Sequence, residues 1–363
     1  MFKIGRPLVL LLLMQLTSLS SSLSISTKIT DSPYLHATFD YSAANEYIET
    51  HYGQKSYFTK EQTKLCEPVY NARNFYDSKD KRDPPLLEKF GFDLFQLPMK
   101  TNWNDLESIQ RDYLPELELT LRRIFEEEEG QVLEDVIFWH PMWRNNNKIT
   151  ENRVPLSSSP PLARTSPPAP MVHIDNDVGA YEFEDFLSLL KANSVSTKSV
   201  NWEKVGRALL LENKRFVIVN AWRNIHHTDT VQQAPLALYC PQYHSKNDCF
   251  PRAKPQQNKS SWYLFPDMTP DEVLLFKQYD RRIDRISDIW HCALTQYQIA
   301  ENTKSKTSIK QSDRQSLDIR ALCIFKDTVS DELNRYHDKR PRAKLSLEES
   351  ECFCTEQAKE RLL

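Results

Sequence analysis

His173-Ile174-Asp175 sets an imidazole and a carboxylate two residues apart, just after the proline-rich run Pro160 to Pro170. On an extended strand alternate side chains share a face, so this pair can grip one ion from the same side. A neutral nitrogen and an anionic oxygen, completed by a distant histidine, form the facial triad of a non-haem Fe(II) site with open positions. The same triplet also reads as two polar residues on a surface strand, so other segments must decide. His291, in Ile289-Trp290-His291, is the third ligand on offer, because it follows a strand-rich region and can come from another strand. His226-His227 reads as a loop pair, and His140, beside Trp139, Pro141 and Trp143, as a packed histidine. His36, His51, His244 and His337 have no apparent partners.

An iron oxygenase that uses 2-oxoglutarate must also hold the far carboxylate of that diacid. Arginine suits the task, since its planar fork matches a carboxylate and stays charged. Arg320 lies between Ile319 and Ala321, and alternation places Asp318, Arg320 and Leu322 on one face. A charge there is costly unless paired. Either Asp318 neutralises it or a ligand does, and the two explanations stand level.

The elements that must carry these residues follow from apolar periodicity. Leu106, Ile109, Tyr113, Leu117, Leu121 and Ile124 recur at three and four residues, which predicts helix between Trp103 and Glu128, divided or kinked at Pro115. Gly130 is its stop signal, and Glu126 to Glu129 a solvated end. Val132 to Trp139, Met171 to Asp175, Arg215 to Trp222, Ala234 to Tyr239, Trp262 to Phe265 and Leu317 to Phe325 read as strands. Asn145 to Pro170 carries six prolines and reads as a loop; Phe183 to Leu190 and Trp202 to Leu211 read as helical or irregular. Thr269-Pro270-Asp271-Glu272 reads as a turn or capped start before Val273 to Phe276. Ser32 to Lys64 shows no period and reads as an irregular arm. A helical part followed by many short strands predicts a mainly β fold, a sandwich or barrel with helical decoration.

Composition narrows the function classes. Lys plus Arg total 47 against 50 Asp plus Glu, which gives no electrostatic case for nucleic acid or a membrane surface. With six glycines against 21 prolines, the chain carries neither GxGxxG nor GxxxxGK[ST]. Lys3, Arg6, the apolar run Leu8 to Leu16 and Ser18 to Ser22 form a targeting segment too short to span a bilayer comfortably. No membrane span is expected after its removal. Asn258-Lys259-Ser260 is a glycosylation acceptor usable in a secretory lumen. The seven cysteines (Cys66, Cys240, Cys249, Cys292, Cys323, Cys352, Cys354) form neither a dense disulfide framework nor paired CxxC. Cys240 and Cys249 could close a loop, and Cys352 and Cys354 could bind metal or pair elsewhere.

Several blocks then line up. Asn220-Ala221-Trp222-Arg223, Ala234 to Leu238 (APLAL), Trp262 to Met268 (WYLFPDM) and Asp271 to Asp280 (DEVLLFKQYD) follow one another in order. Together they resemble the asaB-like hydroxylase/desaturase family, which includes gibberellin desaturases and other natural-product oxygenases. The family's HxD followed by Gly-Ala is matched by His173, Asp175, Gly179 and Ala180. Asn71-Ala72-Arg73, Glu88 to Phe92 and Tyr113-Leu114-Pro115-Glu116 resemble it upstream, so the likeness covers residues 66 to 326.

The resemblance implies an Fe(II)/2-oxoglutarate dioxygenase of double-stranded β-helix (jelly-roll, cupin-like) fold. His173, Asp175 and His291 would be the iron ligands and Arg320 the co-substrate anchor, with O2 as the other co-substrate and a small organic molecule as substrate. Trp222, Arg223, Lys277 and Tyr279 fall in family blocks as substrate-contacting or supporting positions. Departures are Asn224 where the family has proline, Tyr239-Cys240 for Cys-Asp, Arg281 after Asp280, and the Lys304 to Arg314 insertion. They bear on the substrate and leave every ligand in place. The expected organisation is a targeting peptide at 1–24, an arm at 25–65, the dioxygenase-like domain at 66–330 and a charged tail at 331–363. Entry to the secretory route, or to an organelle such as a plastid, is expected. Two rivals are a non-catalytic secreted jelly-roll binding module and a zinc-dependent hydrolase built on the same ligand types.

Overall fold

The computed structural model describes residues 34–44, 63–76, 86–128, 130–145, 164–175, 183–196, 198–240, 262–282, 285–295, 297–299 and 314–330. The targeting segment, Gly179-Ala180, Asn258, Cys249, Cys352, Cys354, residues 304–313 of the insertion and the charged tail lie outside them.

Twelve strands are described: β1 (Leu35–Asp40), β2 (Lys64–Asn71), β3 (Phe92–Gln96), β4 (Leu133–Asn145), β5 (Arg164–Ser166) and β6 (Lys214–Asn224), then β7 (Leu236–Tyr239), β8 (Trp262–Leu264), β9 (Glu272–Asp280), β10 (His291–Ala293), β11 (Tyr297–Ile299) and β12 (Gln315–Thr328). They form two six-stranded sheets, ordered β10-β7-β8-β2-β1-β11 and β3-β9-β6-β12-β4-β5. The mainly β class with helical decoration is the one expected.

Alternation in the second sheet separates structure from chemistry. Val217, Val219 and Ala221 of β6, Val273 and Leu275 of β9, and Leu317, Ile319 and Ala321 of β12 pack with Leu117, Leu121 and Phe125 of the helix Leu114–Glu128. Burying such aliphatic side chains contributes roughly 1.5–3 kcal/mol each. The intervening residues turn the other way. Phe92, Leu94, Trp222, Leu274 and Phe276 meet Leu236, Leu238 and Tyr263 of the first sheet. The polar Asn220, Asp318 and Arg320 alternate with the helix-facing residues and belong to the site.

Several expectations change. Leu35–Asp40, read as part of an irregular arm, is a strand paired with both β2 and β11, and it buries Leu35, Ala37 and Phe39. Its strict alternation was hidden by the polar residues on its other face. Met171 to Asp175 is held by two isolated bridges, Asp40 with Met171 and His173 with His291, and not by a continuous ladder. The expected Trp103–Glu128 helix starts later, at Leu106, where Asp105 caps it by accepting from Ser108 N at 2.9 Å. Its disturbance lies ahead of Pro115, as a π-helical turn over Ile109–Tyr113. Proline has no N–H for the preceding turn, and a widened turn accommodates that loss without dividing the helix. The strand expected at Val132–Trp139 runs on to Asn145, and Arg164–Ser166, inside the stretch read as a loop, is a short strand paired with it. The other strand expectations hold within a few residues, and Phe183–Asn193 and Trp202–Leu210 are helices.

Candidate metal centre

His173, Asp175 and His291 converge, with one ligand atom from each lying within 4.8 Å of the others. Their meeting is built by backbone pairing. His173 N donates to His291 O at 3.1 Å, and His291 N donates to His173 O at 2.9 Å, so the two imidazoles stand side by side with ring centroids 4.3 Å apart. Residues two apart on one extended segment share a face, which brings Asp175 to the same point. His173 Nε2 lies 3.6 Å from Asp175 Oδ1, and His291 Nε2 lies 3.5 Å from Asp175 Oδ2.

Each imidazole is also oriented from behind. His173 Nδ1 meets Met171 O at 2.7 Å, and His291 Nδ1 meets Ile289 O at 3.2 Å. A carbonyl can only accept, so Nδ1 carries a proton and Nε2 is the atom left to ligate. Burial first, and then the neighbouring His291, pull the His173 imidazole down to about 4, against the opposing charge of Asp175. That favours the neutral, ligating form at physiological pH. Phe276 packs edge-on against His291 with centroids 4.9 Å apart and fixes the outer ring face.

Asp175 is more elaborately held than the sequence suggested. Its backbone N–H donates to Gln278 Oε1 at 2.7 Å, and Gln278 Nε2 donates in turn to Ile289 O at 3.0 Å. One side chain thereby ties the HxD segment to the residue that orients His291. The register between β6 and β9 slips here, with Ile218 opposite Tyr279 but Val219 opposite Lys277, so Gln278 is the bulged residue. A bulge re-aims side chains and is invisible to a strict two-residue period. Asn220, opposite Arg320 in the β6–β12 register, donates from Nδ2 to Asp175 Oδ2. Arg320 Nη2 lies 3.0 Å from Asp175 Oδ1. Burial pushes the Asp175 carboxyl up, but Arg320 and His291 outweigh it and hold the group well below the usual carboxylate range.

Beside the triad a small cleft, partly open to solvent, is bordered by His173, His291, Trp222, Arg144, Arg314 and Asp318, among others. Arg320 is not in its lining. Of the sequence candidates, Trp222 borders the cavity. Arg223 instead donates to Leu97 O and Pro270 O and stacks over Trp103, anchoring the helix start to the sheet. Lys277 Nζ lies 6.0 Å from the centroid of Phe125 and 3.8 Å from Asp280 Oδ2, which puts it on the helix side. Tyr279 stacks on Phe216 at 5.1 Å within the hydrophobic core. His226 Nδ1 accepts from Asp229 N at 3.0 Å, the loop role expected of it.

Arg314 and Gln278 were missed. Arg314 counted only as the end of a basic insertion, yet it is fully buried. Its Nε donates to Ser316 Oγ at 3.1 Å and its Nη1 to Ala234 O at 2.5 Å. The signal was present: an arginine two residues before a serine at the start of the last strand.

Residues 34–324 match the family described as the Oxidoreductase/YMDC permease-like domain. The chain belongs to that family. As a member of the oxidoreductase/YMDC permease-like family it has β1, the triad, the cavity and most of β12 within the matched stretch. Among the described residues no helix is long and apolar enough to cross a membrane. No curated protein matches the chain. Solved structures do: an iron and alpha-ketoglutarate-dependent endoperoxidase, NvfI, is 18% identical with a TM-score of 0.47, covering 80% of this chain and 97% of that one. The same enzyme in a different conformation gives 18% identity and a TM-score of 0.46, covering 80% of this chain and 96% of that one.

Proposed function

We propose that this oxidoreductase-family protein is an Fe(II)- and 2-oxoglutarate-dependent oxygenase acting on a small organic substrate by hydroxylation or desaturation. The observation that carries the reading is the paired orientation of the two imidazoles. Each gives its Nδ1–H to a carbonyl of its own segment and turns Nε2 toward the one carboxylate between them. Two imidazole nitrogens and one carboxylate on one side suit Fe(II), which keeps open positions for small ligands. His173, His291 and Asp175 would hold the ion, with Asn220, Gln278 and Arg320 fixing the carboxylate. When bound, iron with 2-oxoglutarate and O2 supplies the oxidising chemistry.

The chain's own share is binding, orientation and exclusion of water. Arg320 was the expected anchor for the co-substrate carboxylate, but it is engaged with Asp175. Arg314 borders the cavity with its guanidinium held by neutral acceptors, and we assign the anchor to it. Trp222 and Phe276 supply apolar walls. The oxidoreductase family favours this reading over a zinc hydrolase and over a non-catalytic module.

The asaB-like branch, the double-stranded β-helix, the targeting peptide at 1–24, the secretory or organellar destination and a glycan on Asn258 are part of the same proposal. They stand on the ordered sequence blocks and on the leader's composition. Succinate release from 2-oxoglutarate by the Fe(II)-loaded protein is the test. Loss in His173→Ala and Arg314→Ala is expected, and undiminished release in both would sink the assignment.

A further inference from the structure

The cleft beside the triad is bordered by two guanidiniums held by neutral acceptors and by a buried indole N–H that has none. Arg144 donates from Nη1 to Ser166 Oγ at 3.1 Å and to Pro167 O at 2.9 Å, and Asp318 acts on it through charge without a hydrogen bond or ion pair. Arg314 likewise donates to a hydroxyl and a carbonyl, and its guanidinium lies 5.0 Å from the ring centroid of Trp222. The Trp222 indole N–H is buried with no acceptor among the described residues. Both guanidiniums border the cleft, and burial first, then the charge of Arg144, pull Arg314 down to about 9. Asp318 borders the same space and offsets one of the two charges, leaving an excess of positive charge.

Like charges on one lining, with a buried donor unmet, cost free energy that a bound anion recovers. A co-substrate carboxylate at Arg314 answers only one of the two. Arg144 stands at the end of β4, bordering the same cavity as His173 and His291. We propose that Arg144, with the Trp222 indole N–H, forms a second carboxylate site, and that the molecule oxidised here is an organic acid held by it. The identity of that acid as substrate rests on the oxygenase reading above; the carboxylate site itself does not.

Calorimetric titration of the Mn(II)-loaded full chain separates the two. Hexanoate is added in the presence of saturating 2-oxoglutarate, with hexanol as the uncharged control. The expected result is one hexanoate per chain. Arg144→Gln should weaken it about tenfold or more, the loss of a charged hydrogen bond, while 2-oxoglutarate affinity changes less than about twofold. Arg144→Lys should retain part of the affinity, and Trp222→Phe should weaken hexanoate more mildly. Hexanol should not distinguish wild type from Arg144→Gln. If Arg144→Gln weakens 2-oxoglutarate as much as Arg314→Gln does, both arginines hold a single acid and the second site is wrong. Hexanoate binding that is absent in wild type, or indifferent to residue 144 in variants with unchanged circular dichroism melts, also overturns it. Wild type that binds hexanoate but never 2-oxoglutarate keeps the acid site and removes the oxygenase reading.

Discussion

Two buried aspartates, each paired with an arginine, sit in the same fold and do different things. Asp280, at the end of β9, is fully enclosed, with Arg215 Nε at 3.2 Å from Oδ1 and Nη2 at 2.6 Å from Oδ2. Lys277 Nζ approaches at 3.8 Å, and Arg282 N donates at 3.0 Å. Asp175 has a single arginine contact, an amide from Asn220, and two imidazole Nε2 atoms at 3.6 and 3.5 Å. The first carboxylate is closed by two cations and a fork. The second shares its oxygens with two imidazoles whose Nε2 atoms are metal-ligating groups. A buried carboxylate thus becomes a site through the kind of neighbour it has, more than through its depth.

That contrast can be broken at either end. Arg215→Ala leaves Asp280 buried without its fork and should cost roughly 3–5 kcal/mol in denaturant unfolding. A loss under about 1 kcal/mol would mean that the pair is not structural. The same pair shapes the acid limb. Burial raises the Asp280 carboxyl, but Arg215 and Lys277 outweigh it and hold it below its ordinary value. The unfolded chain therefore binds the proton at higher pH, so this stabilisation is complete above about pH 4–5 and is lost as pH falls through the folded value. An Asp280→Asn variant should show a flatter fall in unfolding midpoint across that window, and an unchanged slope would contradict the assignment.

At the other end, a divalent ion should stabilise the protein by about 2.7 kcal/mol at a hundredfold excess over its dissociation constant. The shift should appear in a thermal melt of wild type and vanish in Asp175→Asn. Gln278→Ala should lower metal affinity about 10–100-fold while the metal-free stability changes much less, because it positions ligands without being one. Equal metal binding with and without Gln278 would reduce its bulge to a packing feature. The smallest effect belongs to the exposed Lys198–Glu118 pair at 3.0 Å, where Lys198→Ala should move stability by no more than about 0.5 kcal/mol.

Legibility in the sequence followed the same division. His173, Asp175 and His291 could be read because a two-residue period and a distant histidine state their own geometry. The apolar face of β12 could be read for the same reason. Alternation placed Arg320 on the face of Asp318, but nothing local says that it also lies against Asp175, far earlier in the chain. Gln278 needed a register slip between two strands, and Arg314 needed the knowledge that a basic insertion ends inside a wall of the cavity. Leu35–Asp40 became a strand only through pairing with segments far along the chain. Long-range hydrogen bonding, which no local pattern records, accounts for each of these.

The account turns on three side chains from two paired segments holding one ion. Anaerobic equilibrium dialysis against Fe(II), on wild type and on His173→Ala, His291→Ala and Lys198→Ala, tests that directly. One Fe(II) per chain is expected in wild type and in Lys198→Ala, with retention lost in both histidine variants. Equal iron retention in all four proteins would contradict it.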